Sequence, residues 1–156
     1  MKLLALGVDH HSAPQAVREA LAFDGPKRAD GLRAMKSRFP EIEFVILSTC
    51  NRVELYVAGD PELMPQVGDL TQFLGEFHQI PVEGFATHLV DYHDEEAIEH
   101  AFRVTSSIES LVIGEGQIQG QVKEAYEAAK QIGTVGPILH EVFQQAARVG
   151  KRVREA

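Results

Sequence analysis

The chain of 156 residues carries 23 acidic and 15 basic side chains, which gives a formal charge of −8. This balance argues against a general nucleic-acid-binding protein, which would present a basic surface, but leaves room for RNA binding through a small basic patch. With 44% hydrophobic residues and no apolar run near the ~20 residues that cross a bilayer, the composition is typical of one soluble globular domain, with or without an appendage. One cysteine allows no internal disulfide and favours a reducing, cytoplasmic location.

The first part of the chain alternates apolar runs with amphipathic segments, which predicts strands and helices in turn. The predicted strands cover residues 3–8, 43–49, 53–58 and 88–92, and the predicted helices cover residues 16–23, 27–39 and 64–79. In the third strand, apolar Val53, Leu55 and Val57 alternate with their neighbours, so one face of that strand is expected to lie on a core.

The order strand, helix, strand, strand, helix, strand predicts an α+β fold of ferredoxin-like type. In this fold a split βαβ unit forms an antiparallel sheet that helices cover on one face. The two middle strands are joined directly and should form a hairpin. Cys50, Asn51 and Arg52 would then lie at the tip of that hairpin or just inside it.

Beyond residue 94 the pattern changes to helices only. Apolar residues recur every three or four positions over residues 94–105, over 118–132 and from Pro137 to the end of the chain. Glycine or proline separates these segments, but no glycine, proline or cap closes the last one. The chain is therefore expected to be a fragment of a longer protein.

The lone cysteine is the first candidate for chemistry. Small buried apolar packing is the usual fate of a single cysteine, yet Cys50 has the polar neighbours Ser48, Thr49, Asn51 and Arg52. An arginine two residues away can stabilise the thiolate, which is the nucleophilic form. Both interpretations remain open at this point.

Histidines could supply a base for such a cysteine. His10 and His11 follow the first strand and are expected at the edge of the sheet. His100 lies beside the apolar stripe of a predicted helix, where it is either a catalytic group or a half-buried structural histidine. No HExxH or paired Cys/His spacing is present, so the sequence predicts no metal site.

A glycine-rich run, ESLVIGEGQIQGQVKEAY, precedes and opens one of the predicted helices. It is neither a dinucleotide fingerprint, because its third glycine comes one residue late, nor a P-loop, because no GK[ST] follows. Gln117 and Gln121 are one helical turn apart, and with Glu115 they could bind a polar ligand or form a solvated helix edge.

Four motifs together carry a resemblance to a known family. They are GVDHHSAP, LSTCNRVELY, ESLVIGEGQIQGQVKEAY and FQQAARVGKRVR. Their order and approximate spacing are similar to those of the N-terminal catalytic domain of glutamyl-tRNA reductase. The resemblance implies a catalytic, glutamyl-tRNA-binding domain over residues 1–136 and the start of a long linker helix over residues 137–156. The family's NADPH-binding and dimerisation domains have no counterpart here.

The resemblance also implies a role for individual residues. Cys50 matches the cysteine that attacks the ester of glutamyl-tRNA to form a thioester, which NADPH reduces to glutamate-1-semialdehyde, a tetrapyrrole precursor. His100 matches a catalytic histidine, and Arg52 is expected to hold the α-carboxylate of glutamate. The implied substrate-binding residues are Thr49, Asn51, Arg52, Ser110, Glu115, Gly116, Gln117 and Gln121. Gly116 stands where the family usually has proline.

The expected cofactor is NADPH, bound outside this chain, and the expected substrate partner is glutamyl-tRNA. The full-length protein is expected to be a homodimer and the fragment a monomer. Contact with a downstream aminomutase is expected, and membrane association is not. Two other functions are weighed. A cysteine-dependent ester hydrolase would act without NADPH, whereas a ferredoxin-like RNA-binding module would need an aromatic-rich strand that the sequence lacks.

Overall fold

A four-stranded antiparallel sheet forms the centre of the protein in a computed structural model, which describes residues 1–106 and 117–155. Its strands are β1 (Lys2–Asp9), β2 (Glu43–Ser48), β3 (Arg52–Gly59) and β4 (Val90–His93). They lie in the order β2-β3-β1-β4, and each neighbouring pair is antiparallel. This is the order of a split βαβ unit, so the predicted ferredoxin-like fold is confirmed.

Six α-helices accompany the sheet in the described part of the chain. They are α1 (Gln15–Leu21), α2 (Pro26–Arg38), α3 (Val67–His78), α4 (Glu95–Thr105), α5 (Gln117–Ile132) and α6 (Pro137–Glu155). Each was predicted within a few residues of its observed bounds. No helix among the described residues has both the length and the apolar character that crossing a membrane requires.

The two faces of the sheet meet two different helical layers. On one face, a Cβ added at Gly31 of α2 would meet Ile46 of β2, and the backbone N–H of Phe23 bonds the Ser48 hydroxyl at 2.9 Å. On the other face, the ring of Tyr56 in β3 packs edge-on against Phe143 of α6, 5.2 Å between centroids. The added C-terminal helices therefore form a second layer.

This second layer overturns the expectation that only one face of the sheet, and one face of β3, would be covered. Every residue of β3 is buried, including Arg52 and Glu54. Alternation along β3 indicated that only the face with Val53, Leu55 and Val57 lies on a core. The polar residues of the other face are buried as well, because α4 and α6 pack over them. The predicted boundary at residue 137 stays a prediction, although buried residues in the first half of α6 join the same core.

The edge strand β2 is covered by the connection between α5 and α6. Thr134 makes two hydrogen bonds to the backbone of Phe44: the Phe44 N–H donates to Thr134 O, and the Thr134 side-chain hydroxyl donates to Phe44 O, both at 2.8 Å. The Glu43 carboxylate accepts hydrogen bonds from the backbone N–H groups of Gly136 and Leu139 at the start of α6. These contacts protect the edge and hold α5 and α6 against the sheet.

Candidate active site

The hairpin between β2 and β3 exposes the cysteine to solvent. The Thr49 N–H donates to Arg52 O at 2.8 Å, and Thr49 Oγ1 accepts from the N–H groups of Asn51 and Arg52, both at 3.2 Å. Cys50 and Asn51 therefore occupy the two central positions of a tight turn, and the Cys50 side chain is exposed. The interpretation of Cys50 as a buried packing residue is wrong for this structure.

Cys50 opens onto a cleft of about 400 Å³ at the end of the sheet. The described residues that line it are Arg18, Glu19, Ala22, Asp24, Ser48, Thr49, Cys50 and Gln121. Three predicted site residues are thus brought together, namely Thr49 and Cys50 from the hairpin and Gln121 from α5. Both signs of charge are present in the lining, which suits a ligand that itself carries both.

A buried polar network lies behind the hairpin. The side chain of Arg52 is only 1% exposed, and its Nη1 lies 3.1 Å from Oε2 of Glu54 and 3.9 Å from Oδ2 of Asp9. Glu54 also accepts a hydrogen bond from the Tyr56 hydroxyl at 2.8 Å, and its Oε2 lies 2.5 Å from Nε2 of His100. A buried arginine is thus matched by carboxylates, as burial of charge requires.

The charges of this network explain the pKa values of its members. Burial alone would raise the pKa of Glu54, but the hydrogen bond and charge of His100, together with Arg52 and Tyr56, lower it below its ordinary value. Burial, followed by the neighbouring Glu54 carboxylate, raises the pKa of Tyr56 well above 10. Glu54 is therefore ionised and Tyr56 neutral near pH 7.

His100 is more deeply buried than the sequence indicated. Its side chain is 4% exposed, and its ring stacks on Tyr92 of β4 with 4.1 Å between centroids and 13° between planes. Contacts lead from His100 through Glu54 to Arg52, whose backbone N–H bonds Thr49 Oγ1. His100 is thus connected to the cysteine turn through the buried network.

The other predicted residues fall at the same end of the sheet or outside the described residues. Register pairs Asp9 with Arg52, so His10 and His11 follow β1 at the hairpin end, with their rings 4.0 Å apart. Burial, then the charge of His11, lowers the pKa of His10. Gln117 begins α5 and is exposed, and among the described residues it does not line the cleft. The predicted Ser110, Glu115 and Gly116 lie outside the described residues.

Sequence reasoning missed Glu54 and the charged residues of α1. A signal for Glu54 did exist, because Arg52, Glu54 and Tyr56 alternate along a strand and must share one face. Arg18 carried no such signal, since nothing in the local pattern relates α1 to a hairpin some thirty residues later. The described residues contain no cluster of three or more side chains that could hold a metal ion.

Comparison with known proteins places these observations in a family. The sequence model of the family described as glutamyl-tRNA(Glu) reductase, N-terminal domain, matches residues 6–156. Glutamyl-tRNA reductase from Thiobacillus denitrificans is 43% identical over 156 residues, which cover 100% of this chain and 36% of that protein. The enzyme of that name from Chloroflexus aurantiacus is 45% identical over 159 residues, covering 99% of this chain and 36% of the relative.

A solved structure has the same fold. Glutamyl-tRNA reductase from Methanopyrus kandleri superposes with a TM-score of 0.78 at 31% identity, over 98% of this chain and 34% of that one. The chain therefore spans about a third of the length of the relatives it matches.

Proposed function

Because the chain belongs to the family of the glutamyl-tRNA reductase N-terminal domain, we propose that it accepts the glutamyl group of glutamyl-tRNA on Cys50. The observation that carries this proposal is the exposed thiol at the tip of a hydrogen-bonded turn, opening onto a charged cleft. In the longer protein, the resulting thioester would be reduced to glutamate-1-semialdehyde for tetrapyrrole synthesis.

The proposed step is an acyl transfer. The Cys50 thiolate attacks the ester carbonyl carbon, a C–S bond forms, and the C–O bond to the terminal ribose of the tRNA breaks. The departing ribose oxygen takes up a proton, and the products are a glutamyl thioester and free tRNA. A thioester accepts hydride more readily than an oxygen ester, which is the advantage of a cysteine here.

This chemistry corrects the expectation that Arg52 holds the α-carboxylate of glutamate. In glutamyl-tRNA the α-carboxyl carbon is the ester carbon under attack, so the free carboxylate is that of the side chain. Arg52 lies against Glu54, with Asp9 nearby. We propose that Arg52 still takes part in binding the glutamyl group and that His100 is catalytic, as the resemblance implies.

The remaining site residues keep the roles that the resemblance implies, as proposals. Gln121 lines the cleft, where its amide can bind the glutamyl group, and Thr49 holds the turn that presents Cys50. Asn51 shares the tip of the turn. Further substrate contacts are proposed for Ser110, Glu115, Gly116 and Gln117.

The described residues of this chain form no Rossmann-type site for NADPH. Dinucleotide sites form at the first βα turn of a parallel βαβ unit, whereas every strand pair described here is antiparallel. We propose that the cofactor binds a part of the longer protein beyond these residues. A cytoplasmic location, a homodimer of the longer protein and contact with a downstream aminomutase are proposed from the family alone.

The test is to mix the chain with glutamyl-tRNA and to measure its intact mass. A glutamyl adduct on Cys50 is expected within minutes and should be absent from Cys50→Ser, since a hydroxyl is far less nucleophilic at neutral pH. Cys50→Ser should melt at the wild-type temperature because the side chain is exposed. Trapping at the wild-type rate by the serine variant would rule out Cys50 as the nucleophile. Release of free glutamate without a detectable adduct would favour the hydrolase.

A further inference from the structure

An open groove lies at the end of the sheet opposite the cysteine turn, where the proposed function assigns no role. It has a volume of about 390 Å³ and lies where β1 begins, between the N-terminal parts of α4 and α6. Its walls are largely apolar: Leu3 and Val142 are buried, and Ile98 and Ile138 are partly buried. This size and this lining are typical of a site for a small molecule.

The rim of the groove is acidic. Asp94, Glu95 and Glu141 contribute carboxylates to its lining, and no lysine, arginine or histidine is among the described residues that line it. The Lys2 ammonium, 3.5 Å from Oδ2 of Asp94, offsets one of these charges. Even with the α-ammonium group of Met1 counted, the carboxylates outnumber the cations. The rim therefore disfavours an anion and favours a cation.

The fold holds one of these carboxylates firmly at the mouth of the groove. The backbone N–H of Asp94 donates to Leu3 O at 2.8 Å, and its Oδ1 accepts from the N–H of Leu3 at 3.1 Å. The hydrogen bond from Leu3, helped by the charge of Lys2, lowers the pKa of Asp94 below its ordinary value. Asp94 also has a φ of +52°, which residues other than glycine rarely adopt and which is found most often at functional sites.

Glu141 is the carboxylate that the fold itself uses least. It is exposed on α6 and accepts a hydrogen bond from the Gln145 amide at 2.6 Å. No basic side chain among the described residues lies within ion-pair distance of it. Its charge remains available to a ligand that lies on the apolar wall beside it.

We propose that this groove binds a small organic cation, with an apolar body about the size of a phenylalkyl group and one ammonium group. The body packs on Leu3, Ile98 and Ile138, and the ammonium group pairs with the acidic rim, first of all with Glu141. A protein segment is a poorer match, because a stable protein interface takes ~20–30 residues from each side and only ten described residues line the groove. The proposal does not depend on the function proposed above.

The experiment compares three probes that share one apolar body, namely 4-phenylbutylammonium, 4-phenylbutanol and 4-phenylbutyrate. Each is titrated at pH 7 into the chain while its backbone amide NMR shifts are followed. The ammonium probe should bind with a Kd of about 1 mM, as expected for a ligand of this size, and should shift the amides of Leu3, Ile98 and Ile138. It should bind about 5-fold more tightly than the alcohol, the gain expected for one exposed ion pair, and the butyrate should bind least.

Reversal of one charge tests the acidic rim. In Glu141→Lys the order should invert, so that the butyrate binds more tightly than the ammonium probe. Glu99→Lys is the matched control, because Glu99 is also exposed, changes the net charge equally and does not line the groove. It should keep the wild-type order. If Glu141→Lys does not fold, Glu141→Gln should reduce the preference for the ammonium probe over the alcohol.

Four results would overturn the proposal. The first is a wild-type chain in which none of the probes shifts the amides of the groove. The second is equal affinity for the three probes, and the third is the same inversion in Glu99→Lys as in Glu141→Lys, because either would show that the rim does not select the ligand. The fourth is a chain that binds none of the probes but does bind a helical peptide of leucine and lysine at this groove, which would assign it to a protein partner.

Discussion

Glu54 connects the parts of the buried network, because its carboxylate contacts Arg52, Tyr56 and His100 at once. Glu54 lies between Arg52 and Tyr56 on the face of β3 that His100 contacts, whereas the alternate residues face the opposite helical layer. Its ionised state depends on these partners, which outweigh the cost of burial. Contacts through Arg52 thus connect the Glu54 carboxylate to the cysteine turn.

We expect Glu54→Gln to lower the free energy of unfolding by about 3 kcal/mol at pH 7, because it leaves Arg52 and His100 without the carboxylate that matches them. Urea denaturation of both proteins measures this difference. The exposed Glu99, 70% exposed and paired only at 3.8 Å with Arg103, provides the control Glu99→Gln, which should change stability by less than about 0.5 kcal/mol. Equal effects of the two substitutions would contradict the role given to Glu54.

The same variant should change the dependence of stability on pH. The pKa of Glu54 is lower in the folded protein than in the unfolded chain, so its contribution is present above the unfolded pKa near 4.5 and is lost as the pH falls through the folded value. The difference in stability between wild type and Glu54→Gln should therefore narrow below about pH 4.5.

At the scale of elements, the close approach of β1 and β3 brings this network together. Gly7 lies opposite Glu54 in the register, and a Cβ added there would overlap the backbone oxygen of Val53 and come within 2.8 Å of the Glu54 Cα. Only glycine allows the two strands to lie this close at that point.

Gly7→Ala should therefore lower the free energy of unfolding by about 2–3 kcal/mol and slow acylation of Cys50, because the two strands must separate next to Glu54. Gly68→Ala on α3 is the matched control, since no described heavy atom lies within 4 Å of a Cβ added there and its backbone is helical. The control should be neutral or slightly more stable. If Gly7→Ala melts at the temperature of Gly68→Ala, the close approach has no energetic consequence.

For the whole molecule, local patterns were enough to predict the order of strands and helices. Apolar alternation and glycine or proline breaks are local properties, and the hairpin followed from two strands joined directly. The burial of Glu54 could not be predicted in this way, because its partner His100 comes 46 residues later and reaches it only when α4 packs on the sheet. The sequence did indicate an exposed Cys50, because its neighbours along the chain are polar. It gave no indication that Arg18 shares the cleft, because that proximity also arises only when distant elements pack together.

The division of chemistry within the longer protein leads to a prediction about this chain alone. The 156 residues should form the glutamyl thioester but produce no glutamate-1-semialdehyde when NADPH is added. Hydride transfer requires the nicotinamide to be held against the thioester carbon, and such positioning can supply ~7–11 kcal/mol of the barrier. The described strands are all antiparallel and offer no βαβ turn for a dinucleotide.

The measurement follows NADPH absorbance together with the intact mass of the chain after addition of glutamyl-tRNA, with a full-length relative as the positive control. We expect the adduct on Cys50 to decay slowly by hydrolysis to free glutamate, at a rate that NADPH does not change. The relative should consume NADPH and release the aldehyde under the same conditions. Aldehyde produced by this chain alone would show that it binds the cofactor after all, and the assignment of acyl transfer and reduction to separate parts of the protein would be wrong.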